Sequence, residues 1–323
     1  MAISLDRSQA LVLEASRLSA DLAVQAGSGT GKTQTIVHIL GNAVRDRRTV
    51  LFLSGRQSAF RSALARLDGL LSYGSWLAVY GSDCTVDFMV GRLGVAPGAT
   101  VQETAQRAGR RSRIVMATPA SYVTHVPPDW TFDLLVVDEA SPVPLVEALP
   151  AVAACRQVVI CGDQNQMQKD PPLWVLFDPD TPYERAPTLL GAAMAAGVPH
   201  TPLTHHYQSR HESLMHYTNR MFYRGLLRMS VSPYADRDLG LRAVETQGTF
   251  DWRGLTNAAE AEAVVDELAR HVASGSTASV GVIAMTMQQR DLIRQRIVGW
   301  GIDLGLVTRA KPLMVADYNG VQG

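Results

Sequence analysis

Residues 26–33 read Ala26-Gly27-Ser28-Gly29-Thr30-Gly31-Lys32-Thr33, between the apolar run Leu22-Ala23-Val24 and a helix-like segment from Gln34 to Val44. Strand, glycine-rich turn and helix in this order make a cradle for an anion. The glycines let the backbone curl so that successive N–H groups point inward, and the helix presents its positive end to the same place. Lys32 then reaches terminal phosphates and Thr33 offers a hydroxyl to Mg²⁺, while Gly27, Gly29, Thr30 and Gly31 shape the turn. Ala26 stands where the strict pattern has its first glycine, but the strand–loop–helix context is intact. The stretch predicts a loop that binds a nucleoside triphosphate, with a parallel α/β sheet behind it.

Four further short apolar runs fit that sheet: Thr49 to Leu53, Ile114 to Ala117, Leu134 to Val137 and Val158 to Ile160. Runs of this kind, separated by helical stretches, read as strands buried on both faces. They end in Ser54-Gly55-Arg56, Thr118-Pro119, Asp138-Glu139-Ala140-Ser141 and Gly162-Asp163-Gln164. Ligands of open α/β sheets bind beyond the carboxyl ends of strands, so these endings are expected to line one cleft with the loop. Asp138 at a strand end suits Mg²⁺, and Glu139 suits the orientation or deprotonation of an attacking water. Upstream, Asp6 or Ser8 can cap a helix ending near Leu18, and the amide of Gln9 can donate to and accept from an adenine edge at once.

Composition excludes more than it assigns. Thirty basic residues balance thirty acidic ones, so a nucleic-acid footprint has to be a local patch. No apolar run reaches the ~18 residues that span a bilayer, and Asp6 and Arg7 interrupt the N-terminus, which reads as a cytoplasmic protein without membrane contact. Cys84, Cys155 and Cys161 lack CxxC spacing and read as reduced structural residues. His206, His211 and His216 are five apart and do not share a helical face, which argues against a metal site.

A proline-rich region from Pro171 to Pro187 and then Gly197-Val198-Pro199 suggest a boundary, dividing the chain into 1–198 and 199–323. The second part opens with His205-His206-Tyr207-Gln208-Ser209-Arg210-His211-Glu212-Ser213-Leu214. Here Ser209 and Glu212 are spaced as a capping box for a helix with Leu214, Tyr217, Met221 and Phe222 on its apolar face. Asn257 and Glu260 head another helix with Ala261, Val264, Val265, Leu268 and Val272 inward, followed by a strand at Val280 to Ala284, a helix capped by Thr286 and Gln289, and a strand at Leu313 to Ala316. This is a second parallel-sheet unit that reads as incomplete at Gly323.

With these residues in place the sequence resembles the superfamily 1 helicases, in the branch that includes the RNA helicase of nonsense-mediated decay. Asp138 to Ser141 is similar to its DEAS/DEAQ motif, Gly162-Asp163-Gln164-Asn165-Gln166 to GDxxQ, His206 to Leu214 to HYRSRHESL, and Asn319 to Gly323 to an NVQG element. The resemblance implies two RecA-like domains with ATP and Mg²⁺ clamped in the cleft between them, and single-stranded DNA or RNA across their top. It also implies roles: Gln9 reads adenine, Gln166 senses the γ-phosphate, Gln208 and Arg210 lie near the nucleotide, and Ser54, Arg56, Thr118 and Pro119 touch the strand's backbone. Tyr122 or Trp130 can stack on bases, and Arg107, Arg110, Arg111 and Arg113 can add attraction. Gln208 replaces an arginine of the family pattern that contacts the γ-phosphate, and the motif that supplies a second arginine is missing. Two readings follow: an ATP-hydrolysing translocase, or a nucleotide-dependent binding or switch protein with weak or no hydrolysis, completed by a protein partner or a missing C-terminal segment. An unrelated phosphate-loop enzyme is a third, and neither a guanine-reading NKxD nor a role for His206 to Leu214 speaks for it.

Overall fold

The computed structural model describes residues 5–67, 77–80, 114–166, 188–231, 240–276, 278–301 and 313–317. Arg107, Arg110, Arg111 and Arg113, the prolines from Pro171 to Pro187, Cys84 and the Asn319 to Gly323 element lie outside them. Contacts divide the chain into two compact units, 1–241 and 242–323.

The first unit is α/β. Its elements in order are α1 (Arg7–Arg17), β1 (Leu22–Gln25), α2 (Lys32–Arg45), β2 (Val50–Ser54), α3 (Gln57–Leu67), β3 (Leu77–Tyr80), β4 (Ile114–Ala117), α4 (Pro119–His125), β5 (Leu134–Asp138), α5 (Leu145–Ala153), β6 (Val158–Gly162), α6 (Leu189–Ala195), β7 (His200–Pro202), β8 (His205–His206), α7 (Ser213–Phe222) and β9 (Arg228–Met229). Seven strands pair in parallel in the order β3-β4-β2-β5-β6-β1-β7. All five apolar runs read from the sequence are in this sheet, and β2, β4, β5 and β6 are buried along their whole length. Such strands need no alternation because helices cover both faces.

Two strands of this sheet were not visible in the pattern, nor was the short pair β8 and β9. Both β3 and β7 are edge strands, and β7 reads His-Thr-Pro, a composition that argues against a strand and is tolerated only at an edge. The pairing of β7 with β1 lies beyond the expected boundary at 198/199, and the contact division falls instead at 241/242.

The helix after β8 departs from expectation in two ways. It begins at Ser213 with Glu212 as N-cap and no side-chain cap hydrogen bond, so Ser209 lies before the helix, where its N–H and hydroxyl both bond to His206 Nε2. Its apolar stripe is also not core: Leu214, Tyr217, Met221 and Phe222 are exposed, and Asn219 is the buried residue, its amide pinned to both backbone groups of Leu227.

The second unit holds α8 (Ala258–Ala273), β10 (Gly281–Ala284), α9 (Met287–Gly299) and β11 (Met314–Asp317), with β10 and β11 parallel. The side chains of Asn257 and Thr286 cap the two helices, but neither cap closes as the expected box: the Asn257 N–H donates to Gln289 Oε1 at 2.7 Å rather than to Glu260, and Gln289 Nε2 donates to Asn257 O at 2.9 Å, which ties the two helix starts together. Ala261, Val265, Leu268, Ile293, Ile297 and Val315 form its core, whereas Val272, expected inward, is exposed in the last turn of α8.

Candidate functional site

The loop between β1 and α2 needs glycine at two points, Gly29 at φ 75° and Gly31 at φ 80°. In that left-handed region a side chain clashes with the backbone. Gly29 is also crowded: a Cβ there would lie 2.6 Å from the His206 ring and 2.7 Å from Gln208 Cβ.

Every carbonyl from Gly27 to Gly31 is already bonded to protein. Gly27 O accepts from the Thr30 hydroxyl at 2.7 Å, Ser28 O contacts His206 Nδ1 at 2.9 Å, and Gly29 O accepts from the Tyr207 N–H at 2.8 Å. Thr30 O accepts from Gln9 Nε2 at 3.4 Å and Gly31 O from the Thr35 N–H at 3.0 Å. The donors are treated differently. Among the described residues nothing accepts the N–H of Gly27, Ser28, Gly29, Gly31, Lys32 or Thr33. These residues line a cavity of about 500 Å³, together with Glu139, Gln166, Tyr207 and Gln208. Backbone donors left open at a helix N-terminus are the groups an anion would bind.

At the back of the loop Lys32 lies 3.0 Å from Asp138 Oδ1 and against Glu139 Oε1. Burial alone would lower the Lys32 pKa, but the charges of Asp138 and Glu139 outweigh it and hold the ammonium above its ordinary value. Asp138 goes the other way. Its burial raises the carboxyl pKa more than Lys32 lowers it, as expected where desolvation competes with one partner. Glu139 sits at φ 53°, a strained backbone for a residue with a side chain.

Asp163, also buried, ties three elements together. It accepts from Gln25 Nε2 at 2.7 Å, from the Asn165 N–H at 3.0 Å and from the Tyr223 hydroxyl at 2.5 Å, while its own N–H donates to Ser141 Oγ at 2.7 Å. The Tyr223 ring closes over Gly27, 3.1 Å from where a Cβ would be. Burial, then the bond to Asp163, raises the Tyr223 pKa. Tyr223 and Gln25 were not singled out by the sequence, whereas Ser141 was quoted there only as the last residue of the Asp138 to Ser141 segment; the position of Gln25, adjacent to the loop, was the one available signal for the other two.

The other expected residues are placed as follows. Gln9 is 1% exposed, with Oε1 accepting from the Asp6 N–H at 3.2 Å in a capping box and Nε2 on Thr30 O, so one amide hydrogen and one lone pair remain. Thr30 is buried and braces the turn, Thr33 and Gln166 line the cavity, and the exposed Arg210 does not. Ser54 is fully buried beside Asp138, its hydroxyl accepting from the Arg56 N–H. Thr118 caps α4 and Pro119 fills its first turn, buried. Arg56 and Thr118 follow neighbouring strands, since Leu53 pairs with Ala117. Tyr122 is buried and Trp130 packs against the core and Phe132, which removes Tyr122 as a stacking platform.

No family model and no curated protein matches the chain. Among solved structures it is similar to the crystal structure of the UvsW helicase from bacteriophage T4, with a TM-score of 0.38 and 11% identity over 50% of this chain and 53% of that one, so the similarity spans about half of that protein's length. No helix among the described residues is long and apolar enough to cross a membrane.

Proposed function

We propose that the first unit binds ATP with Mg²⁺ and hydrolyses it to drive movement on single-stranded nucleic acid, in the manner of a superfamily 1 helicase. The observation that carries the nucleotide half is the divided hydrogen bonding of the loop, with carbonyls from Gly27 to Gly31 bonded and six N–H groups, on residues that line the cavity, without an acceptor among the described residues. A polyphosphate supplies the acceptors those donors lack. It also competes for Lys32, which exchanges a carboxylate for phosphate oxygens, and Glu139, released from Lys32, is left to take a proton from water. Gln166 and Gln208 offer amide donors at the cavity wall. The Thr33 hydroxyl and Asp138 carboxylate are hard oxygen donors at the same end of the loop, suited to Mg²⁺, which neutralises phosphate charge when bound. The neighbouring strand ends carrying Arg56 and Thr118 support the assignment of a backbone track, with Arg56 as its charged member.

Glu139→Gln is expected to keep fluorescent-ATP affinity within about twofold and to lower turnover by roughly 10²-fold or more, the span that general bases contribute. Single-stranded oligonucleotide binding is expected to weaken steeply between low and physiological salt. Salt-insensitive binding, or none, would contradict the nucleic-acid half and leave a small-molecule enzyme.

A second reading, a nucleotide-dependent switch with slow hydrolysis, is favoured by Gln208, a cavity-lining residue that offers only an amide dipole where the family pattern has a cation to stabilise the transferring phosphoryl group. Gln208→Arg is then expected to raise strand-stimulated turnover severalfold with little change in ATP affinity, a small part of what a well-supported arginine gives. An unchanged or lower rate would place Gln208 away from the reacting phosphate.

A further inference from the structure

The cavity wall includes a cation that no motif singled out. Arg66 stands in the last turn of α3, which packs against α2, and its neighbours Phe60, Ala63, Leu64 and Leu67 anchor that helix in the core. The guanidinium is thus carried on a fixed element while the residue itself is exposed and lines the cavity with Lys32, Glu139 and Gln208. The charges of this wall are unevenly engaged. Lys32 faces two carboxylates, so its cluster is one negative charge in excess, and Arg66 makes no ion pair with any described residue. A triphosphate therefore approaches one cation that must first be shared away from Asp138 and Glu139, and one that has no carboxylate partner among the described residues.

We infer that Arg66 is a phosphate-chain ligand of the nucleotide, binding the triphosphate through its planar fork of donors; this rests on the reading of the cavity as a triphosphate site. Guanidinium suits that task because it stays charged and meets phosphate oxygens two at a time. Contact with the chain, rather than with base or ribose, follows from the charge inventory, because base and ribose offer a cation no compensating charge.

The probe is inorganic tripolyphosphate, compared with ATP on wild type, Arg66→Gln, Arg66→Lys and Lys32→Met. Binding is read as the rise in melting temperature over each variant's own unliganded value, so that a loss of fold is not counted as a loss of binding, and as a dissociation constant by calorimetry. Arg66→Gln is expected to weaken tripolyphosphate and ATP alike by about tenfold, the size of a charge-assisted hydrogen bond, with Arg66→Lys recovering part of it. Weaker ATP with unchanged tripolyphosphate would move Arg66 to the base or ribose and overturn the inference, as would no change in either. Lys32→Met separates the two levels. If it leaves tripolyphosphate binding intact, the phosphate site itself is misassigned, whereas loss there with no effect at Arg66 refutes only the role of Arg66.

Discussion

Two parts of the first unit meet the phosphate loop, and they act on it in opposite ways. From one side His206 and Tyr207 take hold of carbonyls and Tyr223 covers Gly27, contacts that leave the N–H groups without acceptors among the described residues. From the other, Asp138 and Glu139 occupy Lys32, the group a phosphate needs most. On the proposed reading the first set of contacts supports a ligand and survives its arrival, whereas the second has to be partly given up. Stability of the loop and affinity of the site should therefore be separable by mutation.

The largest effect is expected on the side that gives way. Lys32→Met should weaken Mg·ATP by about 100-fold or more in equilibrium titrations, as the loop loses its point charge. The same variant leaves Asp138 buried without its cation, so its carboxyl pKa rises further above the ordinary 3.8. A raised folded pKa gives stability that is fully present below that ordinary value and is lost as pH rises through the folded one. Unfolding midpoints of Lys32→Met and wild type should accordingly lie closest in acid and diverge toward neutral pH. Parallel curves would show that Asp138 is not the group left exposed to the charge penalty.

Next comes the supporting side at its tightest point. Gly29→Ala forces a side chain into a left-handed backbone and against the His206 ring, and should cost about 2 kcal/mol or more of stability by denaturant unfolding. Affinity falls with it, since the N–H groups are displaced. A silent Gly29→Ala would remove His206 from the account of the loop.

Tyr223→Phe is the mildest. It deletes one donor to Asp163, which keeps Gln25 and Asn165, and should cost about 1 kcal/mol while leaving ATP affinity near wild type. A large loss of affinity with full stability would transfer Tyr223 from support to ligand contact.

Much of this was readable beforehand, for identifiable reasons. The buried strands announce themselves as continuous apolar runs, and Gly29, Gly31, Lys32 and Glu139 carry chemistry in their residue types and spacing. The edge strand β7 does not, because an edge tolerates Pro202 and polar neighbours. The helix at Ser213 misled in both cap and face: it starts later than the Ser209–Glu212 spacing suggests, with Ser209 held by His206 before it, and amphipathic spacing records which residues share a side without saying whether that side is covered. Tyr223 and Arg66 were illegible for a third reason, since each reaches the loop through tertiary structure and no local pattern marks such a residue.

The central claim is that the open N–H groups of the loop receive the triphosphate. The most direct measurement is amide NMR on ¹⁵N-labelled protein during titration with Mg²⁺ and a non-hydrolysable ATP analogue. The account predicts that the largest shifts fall on the amides of Gly27, Ser28, Gly29, Gly31, Lys32 and Thr33, with little change at Thr30 and Thr35, whose N–H groups are already bonded within the loop. Saturable binding with those six amides unmoved would contradict it.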